Sequence, residues 1–572
     1  CIREDSSGTV GEIPSEPDRG ADEKLGIMRV AAWFLLPALA SALLLSTTNV
    51  VCQDMAVVPF LWVLPLALYL LSFILSFAGE GWYSRALFGT GFAGCSVLAL
   101  WALSEGADAG LVRQVAIYSL TLFFSCMVCH GELYLLRPPP RRLTSFYLAV
   151  AAGGGLGGAF VALLAPLLFI GYTEWCWSLG CCLFAFACLC LADRSRLDLG
   201  KWRAFGSMLA AVFLLCSGLV AIWIFETRTG DSDFGTAKQI LSLIGETLAP
   251  YRWTGALLVC LIAAWVVMRG YGKSVAAWHL FCATMLFGAF TGASCFMLRE
   301  TLLDRAGVME QSRSFYGVLR LCEASKDDPA NHAIILQHGR ITHGSQFVEE
   351  SLRGVATTYY TERSGVALML RAMSARGPLN VGVVGLGAGT LAAYGHLGDR
   401  YRFYEINPEV VRIARQHFSY LSRSGASVEI SLGDARLSLE REASHRFDLL
   451  ALDAFSSDAI PIHLLTKEAF AIYLRHLRPG GVLAVHISNR FMDLAPVVEK
   501  LKKHYGLSSV TVKHFTHPTK HWDFGSDWVL LSGDPHSLDI ETVREQAELS
   551  DNDLKDTPLW TDDYASILPL LR

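Results

Sequence analysis

Charge is scarce in this chain. Asp, Glu, Lys and Arg make up 18% of its 572 residues, against ~25% in an ordinary soluble protein. That scarcity excludes a disordered, self-solvating polymer. An excess of basic residues is also missing. The 48 Lys and Arg face 53 Asp and Glu, for a formal net charge of −5, so no nucleic-acid partner is expected. Cysteine nearly vanishes from the second half, where only Cys322 follows Cys295. A disulfide framework there is excluded.

What the chain has instead is apolar length. Hydrophobic residues make up 52% of it, and the mean hydropathy is +0.37. After a polar segment at 1–27, residues 28–297 repeat apolar runs long enough to cross a bilayer, which takes ~20 residues per helix. The spans fall at about 29–50, 57–78, 86–104, 112–135, 146–170, 174–192, 206–225, 253–269 and 275–297. About nine spans make this an integral membrane protein whose first partner is the lipid bilayer, expected in the bacterial inner membrane. Basic residues cluster in three loops: Arg137 to Arg142, Arg194 to Arg203, and Arg269 to Lys273. The positive-inside rule makes these loops cytoplasmic, and nine spans then carry the C-terminal half outside. The chemistry argued below needs a cytosolic metabolite, so the expectation is a cytosolic domain and one miscounted span.

Polar residues inside a span are costly and therefore informative. His130 and Glu132 either face the bundle interior as a polar site or reach the headgroups. Cys126, Cys129 and His130 match the CxxCH haem pattern, but they lie in an apolar helix and no haem is expected. In Gly153-Gly154-Gly155-Leu156-Gly157-Gly158, glycines four apart suit close helix packing.

Residues 298–375 read as a linker with a β-hairpin subdomain around Leu336 to Gln346. From 376 to 572 short apolar runs alternate with amphipathic stretches, as in a parallel, Rossmann-like α/β sheet. Strands are predicted at Val381–Val384, Tyr401–Tyr404, Ser427–Ser431, Asp448–Leu452 and Val482–Ile487. Helices are predicted at Glu409–Leu421 and Lys467–Leu477, the second ended by Arg478-Pro479-Gly480-Gly481.

Ligands of such sheets bind beyond the carboxyl ends of the strands. Gly385, Gly387 and Gly389 follow the first strand, where glycines allow close approach of a nucleoside. Glu405 ends the second strand, placed to accept from ribose hydroxyls. Asp434 follows the third, within reach of an adenine amino group. Asp453 ends the fourth, where its carboxylate could deprotonate or orient an amine. Asp458 is either a second carboxylate or a turn cap before Pro461. His338 and His343 have no accompanying Cys or acid set, so no metal is expected.

At these residues the chain resembles the polyamine aminopropyltransferases, the spermidine and spermine synthases, and especially their membrane-fused relatives. The likeness spans about 310–570 and extends into the membrane through Cys129-His130-Gly131-Glu132-Leu133 and Leu143-Thr144-Ser145-Phe146-Tyr147-Leu148. It implies a class I, S-adenosylmethionine-type transferase fold behind a small β-strand subdomain. It also implies aminopropyl transfer from decarboxylated S-adenosylmethionine to a small-molecule amine, with no permanently bound cofactor. By position, Gln346 resembles the donor-contacting glutamine, Tyr359 or Tyr360 the substrate-pocket tyrosine, Glu405 the ribose ligand, Asp434 the adenine ligand and Asp453 the catalytic aspartate. Three motifs depart from the family. Its Gly-Gly-Gly-Asp-Gly loop has Ala388 in the Asp position, its Asp-Ser-Ser-Asp is stretched over Asp453 to Asp458, and the hairpin's usual Asp before Gly is His338. The alternatives are another S-adenosylmethionine-consuming enzyme, such as a methyltransferase, or a non-catalytic transporter or membrane-complex subunit. A homo-oligomer fits either kind.

Overall fold

The computed structural model describes residues 27–55, 59–105, 110–192, 307–339, 341–454, 461–489, 492–516, 520, 522–548 and 556–570. Its first part is helical: α1 (Ile27–Asn49), α2 (Pro59–Ala78), α3 (Arg85–Glu105), α4 (Leu111–Leu135), α5 (Leu143–Ala159), α6 (Ala165–Leu168) and α7 (Glu174–Ala192). A π-helical turn over Phe160–Leu164 joins α5 to α6. Four stretches are long and apolar enough to cross a membrane: Ile27–Cys52, Leu61–Ala78, Val112–Leu135 and Pro140–Leu168. Leu87–Leu103 and Glu174–Cys190 are shorter apolar helices. Six of the expected spans thus coincide with helices; those at 206–225, 253–269 and 275–297 lie outside the described residues.

The glycine run packs α5 on α1. A Cβ on Gly153 would sit 2.3 Å from the Phe34 carbonyl, and one on Gly157 would sit 2.1 Å from that of Ala38. Only bare glycine lets two backbones come this close. Glu132 and His130 both turn into the bundle, each about 1% exposed or less. Glu132 accepts from Arg85 Nε at 2.5 Å, Arg85 Nη2 at 2.6 Å and Tyr83 Oη at 2.8 Å. Ser72 Oγ lies 3.0 Å from His130 Nδ1.

Three hydrogen bonds orient the bundle. The Arg29 guanidinium donates to the carbonyls of Leu136 and Arg137 at 3.1 and 2.9 Å. At the far end of α1, Trp175 Nε1 donates to Thr47 Oγ1 at 3.0 Å. Helix α1 rises ~27 Å between Arg29 and Thr47, at ~1.5 Å per residue, about the thickness of a hydrocarbon core. Arg29, Arg137, Arg141 and Arg142 therefore mark one end of the bundle and Glu174 the other.

The C-terminal part docks on the Glu174 end. Strand β1 (Val308–Ser314) sends Arg313 to Gly171 O at 2.7 Å and to both Glu174 carboxylate oxygens at 3.0 and 2.7 Å. The guanidinium lies 4.7 Å over the Tyr172 ring. A cytosolic C-terminal domain would thus place the arginine-rich end outside, against the positive-inside rule. The expected cytosolic placement conflicts with the charge distribution, because the docking contact ties the domain to the arginine-poor end.

Strand β1 continues into β2 (Gly317–Ala324), β3 (Ala333–His338) and β4 (Ile341–Phe347), a four-stranded antiparallel meander rather than a lone hairpin. Beyond helix Gly365–Ser374 comes an eight-stranded sheet in the order β12-β10-β11-β9-β8-β5-β6-β7. Its parallel part is β5 (Asn380–Val384), β6 (Arg400–Glu405), β7 (Ser427–Leu432), β8 (Phe447–Leu452) and β9 (Leu477–His486). Strands β10 (Ser508–His514), β11 (Ser526–Ser532) and β12 (Ala547–Glu548) extend it antiparallel. This is an α/β domain.

The glycine loop opens a short 3₁₀ helix, Thr390–Tyr394. Two local expectations differ. The segment predicted as one helix at Glu409–Leu421 is two, Pro408–His417 and Tyr420–Arg423. Arg478 to Gly481 lie within β9, whose pairing with β8 shifts register between Phe447 and Leu449. Gly480 at φ 72° absorbs that irregularity.

Candidate active site

Strand ends in a parallel sheet leave a crevice where the chain turns into the following connection. Here that crevice is a cavity of about 190 Å³, roofed by the β1–β4 meander. Gly385, Gly387, Glu405, Asp434, Asp453 and Tyr359 all line it. The ends of four consecutive strands, β5 to β8, therefore open onto a common space.

The glycines make room chiefly for protein backbone. At Gly385 (φ 100°) a Cβ would sit 2.2 Å from the Asp453 carbonyl oxygen, and at Gly387 (φ 54°) 2.6 Å from that of His343. They hold the tips of β5, β8 and the meander together. Gly389, at φ 81°, precedes the 3₁₀ helix away from the cavity wall. Ala388 is 1% exposed, and a Cβ on Gly344 would meet its Cβ at 2.5 Å. The meander leaves no space at 388 for the family's carboxylate.

Glu405 is buried, and desolvation pushes its carboxyl pKa up. The backbone amides of Leu386 and Asn407 donate to its two oxygens at 3.1 and 2.8 Å. A carboxylate has about four acceptor positions, so each oxygen keeps capacity toward the cavity. Asp434 caps helix Ala435–Arg441, accepting from the Leu437 amide at 2.8 Å, and its second oxygen lies 3.0 Å from His463 Nε2.

Asp453 is as buried as Glu405. Its amide donates to Val384 O at 2.9 Å, fixing it to β5. Its Oδ1 lies 2.6 Å from His486 Nδ1, and Oδ2 accepts from the Tyr360 hydroxyl. His486 is stacked between Tyr359, at 4.9 Å, and Trp528, at 4.6 Å, with Ser488 Oγ 2.8 Å from its Nε2. Thr358 stands just before the two tyrosines at φ 59°, a rare conformation for a β-branched residue. Backbone hydrogen bonds to Trp522 and Phe524 hold it, so Tyr359 meets the cavity while Tyr360 turns to Asp453.

Gln346 stands elsewhere. The Gln346 amide nitrogen donates to Arg353 O and Ser419 Oγ at 2.9 and 3.0 Å, and its oxygen accepts from the Ser419 amide at 2.8 Å. Its polar atoms are occupied in tying the meander to the α/β domain, and it is not on the cavity wall. Asp458 lies outside the described residues.

The sequence reading missed His486 as a site residue, weighed His343 only as a metal ligand and placed His338 where the family's hairpin has an Asp. The position of His486 at the carboxyl end of a predicted strand was the available signal. His338 Nε2 donates to the Tyr316 carbonyl at 2.7 Å. His343 lines the cavity with its Nε2 shut from solvent and unpartnered. Burial, helped by neighbouring His338, holds its pKa down to about 3.

No family model matches the chain. A polyamine aminopropyltransferase of Vibrio vulnificus is 26% identical over 200 residues, 34% of this chain and 63% of the relative. A probable polyamine aminopropyl transferase of Bifidobacterium longum is 28% identical over 155 residues, 26% of this chain and 32% of the relative. The matched residues are similar to polyamine aminopropyltransferases. The chain spans less than two thirds of the length of these relatives. Among solved structures, a probable spermidine synthase from Corynebacterium glutamicum aligns at 21% identity over 40% of this chain and 79% of its own, with TM-score 0.32. The Thermotoga maritima spermidine synthase aligns at 18% identity over 45% and 82%, with TM-score 0.30. Each of these matches leaves more than half of the chain uncovered.

Proposed function

We propose that this chain is a membrane-anchored, spermidine synthase-like transferase that moves an aminopropyl group from decarboxylated S-adenosylmethionine to an amine. One observation carries the reading: Gly385, Glu405, Asp434 and Asp453, from four successive strand ends, line a single cavity. Glu405 would receive the ribose hydroxyls and Asp434 the adenine amino group. The sulfonium would lie between the glycine loop and Asp453. The amine nitrogen attacks the carbon beside sulfur, a C–N bond forms as the C–S bond breaks, and the bonding pair leaves on neutral methylthioadenosine. Positive charge moves from sulfur to nitrogen, and the ammonium releases a proton to Asp453. Its carboxylate is aligned for this by Tyr360 and His486, which act as positioning residues. Alignment is the protein's main contribution, since holding reactants at attack distance removes much of the barrier. The apolar region, 28–297, would anchor this domain in the bilayer.

Purified protein incubated with decarboxylated donor and an amine should release methylthioadenosine, measured by mass spectrometry. Transfer from intact S-adenosylmethionine alone would shift the reading to another sulfonium-consuming enzyme. Release from neither donor would leave a non-catalytic subunit.

A further inference from the structure

His463 borders the same cavity as Asp434, on the short 3₁₀ turn Ile462–Leu464 that leads into helix Lys467–His476. Both side chains keep open surface, 49% for His463 and 20% for Asp434. The histidine backbone is nevertheless pinned. Its carbonyl accepts from Arg436 Nη1 at 2.9 Å, and that guanidinium grips both Asp562 oxygens at 2.7 and 2.5 Å.

Together the two residues fix a carboxylate. Asp434 Oδ1 accepts from the Leu437 amide at 2.8 Å, as the cap of helix Ala435–Arg441, and Oδ2 lies 3.0 Å from His463 Nε2. A carboxylate only accepts, so Nε2 carries the hydrogen. With one oxygen tied to the helix and the other to the imidazole, the carboxylate plane is set, and each oxygen keeps a further acceptor position. Without the imidazole only the cap would hold it, and water would take up the second oxygen.

That rigidity bears on which base is accepted. A purine with a 6-amino group brings N–H donors to the carboxylate. A purine with a 6-oxo group brings a carbonyl, and two acceptors face each other. A loose carboxylate turns away from the carbonyl or admits a water between them, whereas a fixed one cannot, and discrimination comes from the repulsive element as much as from the attractive one.

We propose that His463 is a positioning residue for base recognition: by holding Asp434 it makes the pocket selective for a 6-aminopurine nucleoside over its 6-oxo counterpart. The assignment rests on the transferase reading above, which puts the adenine amino group at Asp434. Residues 455–460, which join Ala454 to Pro461 on the cavity wall and include Asp458, lie outside the described residues. The effect is therefore read as a ratio between two nucleosides that differ only at position 6.

The full chain in detergent micelles is titrated calorimetrically with methylthioadenosine and with 5′-methylthioinosine. The unaltered protein should bind the amino nucleoside at least about tenfold tighter, the scale of a hydrogen bond exchanged for opposed acceptors. His463→Ala and His463→Phe, the second keeping the ring's bulk without its N–H, should cut that ratio to about threefold or less. His463→Gln, whose amide N–H reaches the same oxygen, should keep most of it. Asp434→Ala should abolish the ratio, and adding His463→Ala to it should change nothing further, as expected of two residues acting as one unit. A ratio near one in the unaltered protein overturns the inference. So does a ratio untouched in His463→Ala and His463→Phe, or an equal loss of both nucleosides, which would make the ring a packing group. A ratio that survives Asp434→Ala overturns it too, by moving base recognition to another group such as Asp458. If neither nucleoside binds the unaltered protein, the transferase reading falls and His463 with it. If methylthioadenosine binds and the ratio ignores His463, only the role of His463 falls.

Discussion

Asp453 and His486 form a buried pair, Oδ1 to Nδ1 2.6 Å, with both side chains about 5% exposed or less. His486 ends β9 and Asp453 follows the end of the adjacent β8, so sheet order alone brings them together. The pair makes Asp453→Asn an informative change, since it preserves shape and removes the proton acceptor. Turnover should fall at least ~10²-fold, the usual scale for a lost general base, while methylthioadenosine affinity stays within about threefold. Unaltered turnover in the mass-spectrometric assay would remove Asp453 from the chemistry.

Gly385 and Gly433 both hold left-handed backbone, at φ 100° and 141°, but differ in crowding. A Cβ on Gly433 meets only Ser438 Oγ, at 3.7 Å, whereas one on Gly385 collides with Asp453 O. Gly433→Ala should cost about 1 kcal/mol from backbone strain. Gly385→Ala should cost several-fold more and abolish nucleoside binding. Equal thermal midpoints for the two variants would contradict the close approach of β5 and β8.

The neutral state of His343 makes stability depend on pH. Its pKa is depressed to about 3 from an ordinary 6.5, so the unfolded chain takes up a proton where the folded chain does not. That contribution to stability is intact above pH 6.5 and is lost as pH falls toward 3. Between pH 7 and pH 5 the unaltered protein should lose up to about 2 kcal/mol relative to His343→Gln. Parallel pH profiles of thermal midpoint for the two proteins would refute the assignment.

The Arg313–Glu174 pair is almost fully enclosed where β1 meets the bundle, at 7% and 0% exposure. Removing one member strands the other charge, so Glu174→Gln should weaken docking by about 3–5 kcal/mol. Replacing both, Glu174→Leu with Arg313→Met, should restore most of it. Limited proteolysis near residue 308 reads the outcome, and a double variant as labile as the single one would show that the pair is not what holds the two parts together.

The bundle geometry also sets a topology test. The loop bearing Arg141 and the C-terminal domain should lie on opposite sides of the membrane. Single cysteines introduced at 141 and in the exposed turn at 397, in a background without accessible thiols, should label with impermeant maleimide from opposite faces of sealed vesicles. The charge rule assigns the cytoplasm to the arginine end, and a nucleoside donor would then have to be supplied on the other face. Labelling of both sites from one face would break the docking arrangement.

Strands β5 and β8 were legible because a parallel sheet buried on both faces needs continuous apolar runs, and Val381 to Val384 or Leu449 to Leu452 have no other use. The same rule flagged Glu405, Asp434 and Asp453, since side chains just beyond such strands reach the ligand edge. Gln346 was not legible: its occupation by Ser419 depends on a loop 73 residues away. Nor was the role of Gly387, because the backbone it accommodates belongs to His343 in the meander.

Sequence alone determined that a long apolar region precedes an α/β domain, and which residues stand at its strand ends, because hydrophobic period and strand length are local properties. Tertiary structure alone decided that His486 and Tyr360 grip Asp453, that the β1–β4 meander covers Ala388, and that the α/β domain meets the bundle at Glu174. Each of those is a contact between segments far apart in the chain. Burial and hydrogen-bond partners come into existence only when the segments meet.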